Sequence, residues 1–172
     1  MRTEPTIPVK TVRSLARSFR NAANGVKYCI RNERNMRIHL TVAAYVLAFA
    51  PFYAFTQTQL LLLLLTIGLV LFAEAVNTAV EALVDLETQC YDHLARIAKD
   101  VAAGAVLICA VFAAAVGLIL YLRPATIALI ARFLVADPVW GIIFIISLPL
   151  SAAFIFGLPR SAFLNLKRSK KQ

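Results

Sequence analysis

Between Arg37 and Glu74 the chain runs through 36 consecutive positions without a charged residue. At about 1.5 Å per residue a single straight helix of that length would overshoot a hydrocarbon core of about 30 Å. The run must therefore fold back on itself. Pro51 and the polar segment Thr56-Gln57-Thr58-Gln59 mark the turn, giving a first membrane span over residues 38–55 and a second that starts near Leu60 and continues past Glu74. A third uncharged stretch covers residues 101–122 and is closed by Arg123-Pro124, and a fourth, residues 139–158, is bracketed by Pro138 and Pro159 with Pro149 as a point of kinking. Four spans are expected in an all-α membrane protein. With 60% apolar and 16% charged residues, the composition excludes an ordinary soluble domain, where about 45–50% and about 25% are usual.

The basic residues orient these spans. Nine Lys and Arg precede residue 38, none falls between the first two spans, two lie in 86–100, two in 123–137 and five from Arg160 onward. The positive-inside rule then puts both termini and the loop near 86–100 in the cytoplasm. No apolar core of a secretory leader is present in the first 37 residues, so no cleaved signal is expected. Residues 123–137 are too short to cross, and their composition fits an interfacial segment or a loop equally. From Val12 to Ile30 a basic amphipathic helix is predicted. At 100° per residue Arg13, Arg17, Arg20, Lys27 and Arg31 cluster on one side, and Val12, Leu15, Phe19, Val26 and Ile30 on another. Such a helix suits the anionic cytoplasmic leaflet. Three scattered cysteines and two histidines carry no CxxC or zinc spacing, and His39 reads as a hydrogen-bonded interface residue.

The acids on the second span hold the chemistry. Relative to Glu74, residues Asn77, Glu81 and Asp85 fall at about −60°, −20° and +20°, so all four share one stripe of helix surface. An acid at mid-membrane costs about 2.5–3.5 kcal/mol on insertion scales, so the stripe should face the bundle or a polar cleft. Asn32-Glu33-Arg34-Asn35 before the first span and Arg96-Ile-Ala-Lys99-Asp100 at the start of the third converge on the same membrane surface. Glu33 and Glu81 offer hard oxygen ligands for Mg²⁺, Lys99 a cation for phosphate, and Glu74 a base for an alcohol. Those are the parts of phosphoryl transfer. Plainer readings compete: Arg96 pairs at i,i+4 spacing with Asp92 and Asp100, Asp85 and Glu87 end a helix at the water boundary, and Lys99 anchors topology. No glycine sits in a phosphate-cradling motif. A small ion-conducting or scaffolding membrane protein is the alternative, although the acids crowd one leaflet instead of lining a path.

Glu74-Ala-Val-Asn77-Thr78-Ala-Val-Glu81-Ala-Leu-Val-Asp85, Ala98-Lys99-Asp100 and Asn32-Glu33-Arg34-Asn35 resemble, in order and spacing, the signature of the prokaryotic diacylglycerol kinase and undecaprenol kinase family of small membrane lipid kinases. The resemblance covers residues 14–122, a lipid kinase core of surface helix and three spans. It leaves 1–13 as a disordered basic tail and 123–172 as an extension with a fourth span and a basic cytoplasmic tail. It implies a homotrimer in the bacterial cytoplasmic (inner) membrane that uses ATP and Mg²⁺ to phosphorylate a lipid alcohol, diacylglycerol or undecaprenol. By the same resemblance Glu74 is the general base and Asn77 helps hold the acceptor. Glu33 and Glu81 are the metal pair, and Lys99, Asp100, Tyr91 and Asp92, with Glu33 and Glu81, contact the nucleotide.

Overall fold

The computed structural model describes residues 9–87 and 93–157. It is all-helical among these residues: α1 (Val9–Asn32), α2 (Arg34–Phe49), a 3-10 turn (Ala50–Tyr53), α3 (Gln57–Glu87), α4 (His93–Tyr121), α5 (Pro124–Ala136) and α6 (Pro138–Phe156). Four helical segments are long and apolar enough to cross a membrane, Arg34–Tyr53, Gln57–Leu86, His93–Tyr121 and Pro138–Phe156. The expected architecture of a non-membrane amino-terminal helix, three long apolar spans and one added carboxyl-terminal span is thus the one observed. α1 begins at Val9, inside the stretch read from sequence as a tail, and residues 1–8 lie outside the described residues.

Local chemistry sets the boundaries. Pro51 occupies the first turn of the 3-10 segment, where a missing N–H is harmless. The chain then reverses through Ala54, whose φ of 46° is left-handed, a conformation that costs an L-residue roughly 1–2 kcal/mol. α3 restarts on a reciprocal cap. The Gln59 amide donates to Thr56 Oγ1 at 3.3 Å and the Thr56 amide to Gln59 Oε1 at 3.1 Å, the capping box of a T-x-x-Q sequence. Residues 123–137, left open by composition, form α5, started by Pro124 in its first turn. Asp137 then accepts from the Val139 amide at 3.0 Å and starts α6. α6 continues unbroken through Pro149.

α3 and α4 form the most extensive helix pair, and α2 packs against α3 and α6. At the end of the bundle opposite Glu33, Tyr121 donates to the Val46 carbonyl at 2.7 Å. Arg123 reaches the Tyr53 carbonyl at 3.3 Å and lies 5.7 Å from the Phe55 ring centroid. The Tyr53 and Tyr121 rings meet at 4.6 Å. α6 is fastened to α2 in mid-span, where the Tyr45 hydroxyl shares hydrogen bonds with Ser147 at 2.8 Å and Ser151 at 3.0 Å. The Tyr45 and Phe49 rings both lie edge-on to Phe144.

Candidate active site

The polar stripe of α3 is real, and with Arg37 its innermost members are the buried polar side chains among the described residues. Glu74 is 1% exposed, Thr78 4% and Asn77 5%. Helical geometry explains the set. Residues three and four apart stack on one face, so the face that α3 turns toward α2 and α4 takes all three inward together. Thr78 folds its hydroxyl back to the Glu74 carbonyl at 2.9 Å, satisfying it locally. Asn77 donates through Nδ2 to Glu81 Oε1 at 3.0 Å. Both Glu74 carboxylate oxygens and Asn77 Oδ1, by contrast, meet no hydrogen-bond partner in the protein. Buried polar atoms in that condition are rare and each calls for an explanation.

Glu74 and Asn77, which carry these orphaned oxygens, both line a cavity of about 260 Å³. Asn35, Ile38 and His39 of α2 form one wall, Glu74 and Asn77 the second, and Ala103, Val106, Leu107 and Ala110 of α4 the third. His39, read from sequence as an interface residue, therefore borders this cavity. It also borders a neighbouring apolar cleft of about 240 Å³ that runs between the same helices past Ala113, Ala114 and Gly117. A cavity with a carboxylate and an amide in an otherwise largely apolar wall, beside an apolar cleft that shares His39 and Ala110 with it, suits a molecule with a polar head and a hydrocarbon tail.

Glu33 is the single residue that separates α1 from α2, with extended backbone angles of φ −103° and ψ 118° at the N-cap position. That break returns the chain over the end of α3, so that Glu33 and Glu81 both lie close enough for their charges to act on Glu74. The Met36 peptide, in the first turn of α2, lies alongside the Glu74 carboxylate without closing a hydrogen bond. Tyr28, on the last turns of α1, joins the group. Burial, and after it the charge of Glu33 with smaller contributions from Asp85 and Glu81, raises its phenol above the ordinary tyrosine value, so the hydroxyl keeps its proton among the carboxylates. No spacing in the sequence marks Tyr28.

Lys99 and Asp100 stand apart from the Glu74 cavity. Lys99 Nζ pairs with Asp85 Oδ1 at 2.5 Å, joining α4 to α3 with side chains 35% and 66% exposed. Asp100 pairs with Arg96 at 3.6 Å on the open surface of α4. The i,i+4 pairing anticipated for Arg96 and Asp100 is therefore formed. Tyr91 and Asp92 lie outside the described residues. Among the described residues no three His, Cys, Asp or Glu side chains gather into a metal cluster. Glu33 and Glu81 are two hard oxygen donors near a third carboxylate, a donor set that fits Mg²⁺ if phosphate and water oxygens complete its octahedron.

The family model for prokaryotic diacylglycerol kinase matches residues 20–121 of the chain. A diacylglycerol kinase of Synechocystis sp. is 44% identical over 108 residues, which is 62% of this chain and 62% of that protein. An undecaprenol kinase of Bacillus subtilis is 37% identical over 106 residues, 62% of this chain and 86% of the relative. The aligned region thus spans under two thirds of the cyanobacterial relative's length. No solved structure matches. α5 and α6 fall outside the matched region.

Proposed function

The chain belongs to the prokaryotic diacylglycerol kinase family, a family of lipid kinases, and from that premise we propose that it transfers the terminal phosphoryl group of ATP to the hydroxyl of a membrane lipid at the cytoplasmic interface. One observation carries the reading: a carboxylate 1% exposed, with neither oxygen engaged by the protein, lines a cavity that shares His39 and Ala110 with a neighbouring apolar cleft. Glu74 accepts the hydroxyl proton as the oxygen attacks the γ-phosphorus, the bond to the β-γ bridging oxygen breaks, and ADP leaves. Asn77, whose Nδ2 is given to Glu81, keeps an unpartnered Oδ1 with which to orient the alcohol. Glu33 and Glu81 would hold Mg²⁺, which would supply neutralisation of phosphate charge. Lys99 and Asp100 contact the nucleotide after exchanging their present partners for it, and Tyr91 and Asp92 belong to the same nucleotide side.

The acceptor is diacylglycerol or undecaprenol, the two lipids named in the curated relatives. The protein works as a homotrimer in the bacterial cytoplasmic membrane with both termini inside. The outward faces of α3 and α4, with Leu61, Leu65, Ile108 and Phe112 each at least 60% exposed, supply lipid-facing and subunit surfaces. The test is to offer both lipids in parallel to purified protein with labelled ATP and Mg²⁺ in detergent. Label is expected in at least one lipid and absent with Glu74→Ala. No transfer to either lipid overturns the kinase reading, and undiminished transfer by Glu74→Ala overturns the base assignment.

A further inference from the structure

Arg37 carries a buried charge that the phosphoryl-transfer scheme leaves unused. It is 3% exposed, and its guanidinium is held by main-chain carbonyls: Nη1 donates to Ile30 O at 3.2 Å and Arg31 O at 2.9 Å, and Nε to Ile155 O at 3.1 Å. All three acceptors lie in the last turn of a helix, two in α1 and one in α6. The final four carbonyls of a helix lack intrahelical partners and form the negative end of its dipole. A planar guanidinium with a fixed fork of donors suits two such ends at once. Glu33, the vertex between α1 and α2, sits in the span that Arg37 crosses when it reaches back from α2 to α1.

We infer that Arg37 is a positioning residue for Glu33, and that the added span is a working strut of the site because its last turn supplies one of the carbonyls that hold Arg37. The inference rests on reading Glu33 as a Mg²⁺ ligand. Two observations make the strut specific. α6 meets α2 in mid-membrane through Tyr45, Ser147 and Ser151, which sets its height and rotation. The carbonyl delivered at its end belongs to a residue 118 positions from Arg37 in sequence, so the contact exists only when α6 is docked. A docked α6 fixes the guanidinium, the guanidinium fixes the α1–α2 elbow, and the elbow fixes Glu33, whose charge, like that of Glu81, acts on Glu74.

The decisive variant is Phe156→Pro in the full chain, with Phe156→Ala as its control. Proline at 156 drives residue 155 out of the helical region and turns the Ile155 carbonyl away, while the Phe156 side chain, 70% exposed, contributes little packing. Hydrogen exchange of peptides covering residues 30–36, without lipid or nucleotide, should speed up by about tenfold in Phe156→Pro relative to Phe156→Ala, as expected for loss of one charge-assisted hydrogen bond. The KM for MgATP should rise by a similar factor with the KM for the lipid unchanged. Arg37→Lys should fall between wild type and Arg37→Met on both readouts, since an ammonium retains charge without the fork. Equal exchange in the two 156 variants sinks the strut whatever the chemistry. Faster exchange with an unchanged MgATP KM, or with kcat and both KM values moving together, removes the positioning role. A wild-type chain without phosphoryl transfer would defeat the kinase reading, yet leave exchange to decide whether α6 braces the elbow.

Discussion

Replacing Glu74 by glutamine keeps the outline of the side chain and removes its capacity to accept a proton, so it separates catalysis from folding. Glu74 is 1% exposed, and neither oxygen has a protein partner. A positioned general base contributes about 10²–10⁴ in rate, which at 1.36 kcal/mol per factor of ten is about 3–5 kcal/mol on the barrier. Initial rates with labelled ATP and a saturating lipid should fall by that factor. Stability should move the other way. An unpartnered buried polar group costs about 1–3 kcal/mol, more when charged, so a neutral amide at 74 should leave the apparent thermal midpoint in the same detergent unchanged or higher. Glu74→Leu, which removes both orphaned oxygens at similar volume, should raise it further. Opposite signs on activity and stability are the signature of a group held in an unfavourable setting for its chemistry. The reasoning fails if Glu74→Gln retains more than about a tenth of wild-type rate, below the least effect of a positioned base. It also fails if both variants unfold earlier, because Glu74 would then be held by stabilising contacts that the structure does not contain.

The Lys99–Asp85 pair, 35% and 66% exposed, belongs to the surface class that contributes about 0–1 kcal/mol after solvent screening, so Lys99→Met and Asp85→Asn should each shift unfolding by less than about 1 kcal/mol. They should differ in nucleotide binding: Lys99→Met raises the KM for MgATP by about tenfold or more, the worth of one charge-assisted contact, and Asp85→Asn, which releases Lys99, leaves it unchanged or lower. Identical kinetics for the two variants would reduce the pair to a tie between α3 and α4. Tyr45→Phe removes the hydroxyl shared with Ser147 and Ser151; interhelical hydrogen bonds in membranes average about 0.6 kcal/mol with a maximum near 1.7, so unfolding in detergent should shift by about 1 kcal/mol. A loss above about 2 kcal/mol would mean that the aromatic contacts with Phe144 hold α6 less firmly than their geometry implies.

What could be read from the sequence was what periodicity determines. A 100° step fixes which residues share a face of α3, so the inward turn of Glu74 and Asn77 and the reach of Asn77 to Glu81 follow from spacing alone. The turn before α3 was legible only in part: Thr56–Gln59 reads as polar reversal, but the T-x-x-Q order also states the reciprocal cap that the structure contains. α5 was undecidable because thirteen mostly apolar residues have no partner face in sequence to choose helix over loop, and its Pro124 start is the one local cue. Lys99 and Asp100 show the limit for charges. Sequence places them at the start of the third span, but which opposite charge each takes depends on side-chain reach across α3 and along α4.

Arg37 was invisible for a different reason. Its partners are carbonyls, which every residue possesses, and one of them lies at the far end of the chain. No complementary side chain records such a contact. Topology rules deepen the concealment, since nine bases before the first span explain orientation by number alone and assign no task to any one of them. A snorkelling anchor keeps its charged head in water. A 3% exposed guanidinium does the opposite, and must therefore be matched by fixed dipoles strong enough to replace hydration. Two converging helix ends provide them. Among the described bases before the first span, the burial of Arg37 is thus the physical mark that distinguishes a structural ligand of the fourth span from the exposed charges around it.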